Sequence, residues 1–161
     1  MDKQERNEKI ELYGHGYDLL ISALAEVPRE AWEFKPSAKD WSVHEIIIHL
    51  ADSEAMSAMR ARKMIVEPGT MLMNYDESKW GDALKYSKQN IEDALQLLKY
   101  TRLTTYNILK TLPDEVFSHS VMRPDNPDPL TMERWLTIYA NHIPNHINQI
   151  MDCYKAWKEK D

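Results

Sequence analysis

A chain of 161 residues, 43% hydrophobic and 29% charged, is long enough to bury a core as one domain spanning 1–161 and has a globular composition. Its net charge of −6, with Arg60, Arg62 and Lys63 as the one dense basic cluster, argues against a nucleic-acid partner. No apolar run approaches the roughly 20 residues of a membrane span, Cys153 has no disulfide partner, and Met1 to Lys9 carries no signal-peptide core, so a cytoplasmic protein without a membrane partner is expected.

Four glycines are too few for a turn-rich β fold, and helical periodicity dominates. A first helix is predicted over about Gln4 to Ala25, with Ile10, Tyr13, Tyr17, Leu20 and Leu24 on one stripe; Gly14 and Gly16 within it fit close packing against another helix. Ser42 and Glu45 form a capping box that opens a second helix, ended by Pro68-Gly69 after about Val66. A short helix is expected around Glu77 to Leu84, and a third long one over Lys88 to Leu112, closed by Pro113. The proline-rich stretch 123–129 is predicted to be irregular, because each proline removes a donor and biases its predecessor. Thr131 then caps a fourth long helix reaching about Trp157. The sum is an all-α chain, a four-helix bundle with long connections.

The chemistry lies in the histidines. His142 and His146, one turn apart, share a face with Trp135, Ile138, Tyr139, Ile150 and Cys153, so two imidazoles point into an apolar stripe. Buried imidazoles need partners, and a metal satisfies both together. His49, inside the second helix, has Glu45 and Asp52 on its flank. If those helices face each other, three imidazoles converge and leave a coordination position open, the pattern of catalytic zinc. Hydrogen-bonded core histidines are the alternative. Pro144, between the pair, removes the helix bond to Ala140.

The segment from Trp41 to Glu54, read with His142-Ile143-Pro144-Asn145-His146-Ile147-Asn148-Gln149-Ile150, resembles the DinB/YfiT-like superfamily in its W-S-x-x-E-x-x-x-H-L and H-x-x-x-H-x-x-Q-I signatures. The resemblance covers essentially the whole chain. It implies an up-down-down-up four-helix bundle, frequent homodimers, and a divalent metal, zinc or nickel, on His49, His142 and His146.

It also implies a reaction class: transfer of a low-molecular-weight thiol, such as bacillithiol or mycothiol, to an electrophilic small molecule. The alternatives are a metal-dependent hydrolase that activates water on the same site, and a non-catalytic metal-stabilised stress-response module. Asp52 and Glu45 are candidates to orient an imidazole or act as base, and Tyr139, one turn before His142, is a candidate for touching substrate.

Overall fold

The computed structural model describes residues 1–124 and 126–160. Helix α1 (Lys3–Ala25) starts where the Asp2 side chain accepts the Glu5 N–H. Helix α2 (Val43–Val66) opens on the complete capping box of Ser42 and Glu45. A short helix α3 (Glu77–Ala83) precedes α4 (Ile91–Leu109), and α5 (Met132–Lys158) begins at Thr131, whose hydroxyl accepts the Arg134 N–H. Each long helix thus begins on a polar side chain that satisfies an otherwise orphaned backbone donor.

The four long helices form the bundle, with α1 packed most extensively on α5 and α2 on α4. One apolar cluster joins the start of α1 (Ile10, Tyr13) to the late residues of α2 (Ala61, Met64), Leu109 of α4 and the start of α5 (Trp135, Leu136). The other joins Leu20 and Leu24 of α1 to Ile46, Ile47 and Leu50 of α2, Ile91 and Leu98 of α4, and Ile143 and Ile150 of α5. Where the two clusters meet, Tyr13, Glu54 and Arg102 form a buried polar layer. The stripes expected for α1 and α5 supply Ile10, Tyr13, Leu20, Leu24, Trp135, Tyr139, Ile150 and Cys153 to the two clusters, whereas Ile138, expected on the same face, is exposed. No helix among the described residues is long and apolar enough to cross a membrane.

The glycines of α1 face crowded neighbours. A Cβ on Gly14 would stand 2.7 Å from the Tyr106 ring, and one on Gly16 would stand 2.7 Å from the Arg102 guanidinium. Both positions let α4 side chains lie directly on the α1 backbone.

The expectation of irregular chain over 123–129 is corrected. Strand β1 (Ser120–Arg123) pairs antiparallel with β2 (Asn126–Thr131), with Ser120 opposite Thr131, Val121 opposite Leu130 and Arg123 opposite Asn126. Pro127 and Pro129 fall between those partners on β2, which pairs with β1 alone among the described residues, so a missing donor is tolerated there. Burial of Val121 and Leu130 fastens the ribbon to the bundle. Asp125, which that expectation included, lies outside the described residues.

Candidate metal centre

His49 comes from the middle of α2, and His142 and His146 from successive turns of α5. One ring nitrogen from each lies within 4.8 Å of the other two. The rings crowd together, His142 edge to face with both His49 (centroids 5.5 Å apart) and His146 (4.7 Å), and His49 tilted against His146 at 4.9 Å. Trp41 covers His49 at 4.7 Å between ring centroids. Despite Pro144, α5 continues as helix through the pair.

The site fits a divalent cation on its own chemistry. His49 is fully buried, and neither of its ring nitrogens has a hydrogen-bond partner among the described residues; Nδ1 of His142 is equally bare. Burial is the main force holding His49 down at a pKa of about 3 and His142 at about 2, with the other histidines adding to it. His146 is lowered by burial as well, against the opposing pull of Gln149 and Glu77. Three imidazoles are therefore neutral at pH 7, the state in which they ligate. Gln149 sets the tautomer of the third ring. His146 Nδ1 donates to Gln149 Oε1 at 2.8 Å, which leaves Nε2 with its lone pair facing the cluster. A three-histidine group here could hold a metal ion.

Glu77 was not among the residues expected from sequence. It sits at the start of α3, and its Oε2 lies 3.9 Å from His49 Nε2. With His49 neutral this is no ion pair, but a carboxylate poised beside the cluster. No periodicity flags it, because the short helix that carries it has no buried face. Arg102 and Glu54 were missed for a different reason: a charged residue inside an amphipathic helix reads as its solvated side.

The remaining expected residues fall in three places. Tyr139 stacks edge to face with His142 at 5.5 Å, its hydroxyl pKa raised by burial against the counteracting charge of Arg60. Asp52 has a buried Oδ2 with no partner by geometry among the described residues; it stands close enough to Tyr86 to help burial push that phenol far up. Glu45 is engaged elsewhere: its Oε2 accepts the Ser42 N–H at 2.9 Å and pairs with Lys35 at 2.9 Å. His44 and His119 bond backbone carbonyls of Gln89 and Met64, and His15 is exposed beside Glu11.

Residues 13–150 match the DinB superfamily. YfiT from Bacillus subtilis, described as a probable metal-dependent hydrolase with an unusual four-helix bundle topology, is 29% identical over 146 residues, 84% of this chain and 82% of that protein. Its solved structure superposes with a TM-score of 0.90 over 98% of this chain and 90% of that one, at 23% identity. A relative from Oceanobacillus iheyensis, provisionally named a metal-dependent hydrolase, is 24% identical over 137 residues, 85% of this chain and 78% of its own. The DinB-like protein YjoA of Bacillus subtilis shares the fold at a TM-score of 0.60 and 13% identity, over 96% and 94% of the two chains. The family match spans all four long helices and takes in His49, His142 and His146, and this chain belongs to the DinB superfamily.

Proposed function

We propose that this protein is a metal-dependent hydrolase of a small ester or amide, with His49, His142 and His146 as the ligands of a zinc or nickel ion. The observation that carries this reading is the Glu77 carboxylate, 3.9 Å from His49 Nε2 at the edge of a neutral three-imidazole cluster. A divalent cation held there supplies Lewis acidity and brings the pKa of water down to near 7. The chain's own groups do the rest. The three histidines orient the site, with Gln149 fixing the His146 tautomer. Glu77 is mounted to accept a proton from a water at the mouth of the site and return it to the leaving group. Trp41 and Tyr139 wall the cluster and exclude bulk solvent.

Thiol transfer would use the same histidines, but a carboxylate at that edge opposes a thiolate and suits the deprotonation of water. The test is turnover of p-nitrophenyl esters and anilides by zinc- or nickel-loaded protein, with and without an added low-molecular-weight thiol. Hydrolysis without thiol is expected. Glu77→Gln should keep the metal and lose roughly 10²- to 10⁴-fold in kcat, while His49→Ala loses metal and activity together. Turnover that strictly requires thiol would replace the hydrolase reading with the transferase one.

A further inference from the structure

A pocket of about 110 Å³ opens where the late part of α2 meets β1, and none of the three histidines lines it. Arg60 from α2 and Arg123 from β1 both line it, with Asn74 and Tyr75 between them. The Nε of each arginine is shut off from solvent and has no hydrogen-bond partner among the described residues. Three other arginines pair with carboxylates, Arg6 with Asp114, Arg29 with Glu92 and Arg102 with Glu54, and Arg62 donates to the Ala58 carbonyl and the Thr105 hydroxyl. Arg60 and Arg123 form no such pair among the described residues; the one bond made by Arg123 goes from Nη2 to the Asp128 carbonyl at 3.3 Å. Two guanidinium-bearing residues that line one small cavity suit an anion between them, since their planar forks match carboxylate and phosphate oxygens.

The position of the pocket relates it to the metal centre. His49, Ser53, Met56 and Arg60 follow one another at steps of four, three and four residues, so they share one face of α2. Eleven residues of helix separate the backbones of His49 and Arg60 by roughly 16 Å. The Arg60 side chain leans back toward the helix start, and its guanidinium stands 5.9 Å from the Tyr75 ring, two residues before Glu77. A small molecule held by an anionic group at the arginines presents its other end to the histidines, on the order of 10 Å away.

We infer that Arg60 and Arg123 form an anion subsite that anchors a carboxylate or phosphate group of the substrate, which makes the substrate class anionic esters or amides. The catalytic consequence rests on the hydrolase reading, whereas binding of the anion rests on the two arginines alone.

The test is calorimetric titration of metal-loaded protein with benzoate, phenyl phosphate and uncharged benzyl alcohol. It is repeated on Arg60→Gln, Arg123→Gln, the fork-deleting but charge-conserving Arg60→Lys and Arg123→Lys, and the neighbouring Arg62→Gln. One or both anions should bind wild type and Arg62→Gln alike, roughly tenfold or more weaker in each glutamine variant, with lysine intermediate and the alcohol silent. The better of benzoate and phenyl phosphate identifies the natural group. Binding should persist in metal-free His142→Ala, so that a failed hydrolase assay leaves the subsite standing. Absence of anion binding, equal binding by the glutamine variants, or loss of binding with the metal would each overturn the subsite.

Discussion

Arg102 of α4 and Glu54 of α2 form an ion pair of 2.6 Å at the centre of the bundle, with side chains 1% and 0% exposed. The same guanidinium donates from Nε to the Tyr13 carbonyl at 2.6 Å and from Nη2 to the Tyr139 carbonyl at 3.0 Å, and the Tyr13 hydroxyl donates to Glu54. One cation on α4 is thus bonded to each of the other three long helices. Removing one partner strands the other in an apolar interior, so Arg102→Met should destabilise the fold by about 3–5 kcal/mol, and Glu54→Leu/Arg102→Met should recover much of that loss. Urea denaturation of the two variants measures the difference; equal losses would show that the pair is not the unit.

Gly16→Ala tests the contact above that ion pair. Alanine in a helix normally adds about 1 kcal/mol over glycine, but here the new methyl would meet the Arg102 guanidinium at 2.7 Å. The expected sign is reversed, a loss of about 1–3 kcal/mol from overpacking. Gly69, with φ +82° and open space around its Cα, gives the contrasting case, in which any cost comes from the backbone alone.

Metal content should follow the histidines and their support. His142→Ala should abolish stoichiometric zinc or nickel in elemental analysis and also the rise in melting temperature on adding metal. Gln149→Leu should keep the fold while weakening metal affinity about 10- to 100-fold, because the His146 ring loses the acceptor that sets its tautomer.

Acid should weaken the metal-free protein. His49 and His142 are held near pKa 3 and 2 when folded, against about 6.5 in an unfolded chain. Below pH 6.5 the unfolded state takes up protons that the folded state refuses. Stability is therefore full above about pH 6.5 and falls toward pH 3, by up to about 1.4 kcal/mol per pH unit for each histidine. Urea midpoints of chelator-treated protein at pH 7.5 and 5 give the slope, and His142→Ala should reduce it to roughly the share of His49. An unchanged slope in that variant would place the titration elsewhere.

Much of the architecture was legible from the residues because it rests on local signals: Ser42 with Glu45, Thr131, and the stripes of Ile46, Ile47 and Leu50 or Leu98 and Leu109 all act within a turn or two. The histidine cluster was legible for the same reason, since His142 and His146 lie one turn apart on a buried stripe. Glu77 was not, because its place beside His49 depends on how the connection between α2 and α4 drapes over the bundle. Arg102 escaped notice because its partners come from three other helices, at 37 to 89 residues' separation. The paired strands around Pro127 and Pro129 were hidden by a rule that holds for strands with neighbours on both sides.

Helix α3 contributes no buried residue to the bundle. The carboxylate it carries is thus mounted on a part that touches the apolar core only through the partly buried Trp80, while the imidazoles are built into the frame itself. Substitutions along 77–83 other than at Trp80 can retune the acid–base partner of the centre without weakening the scaffold that holds the ligands.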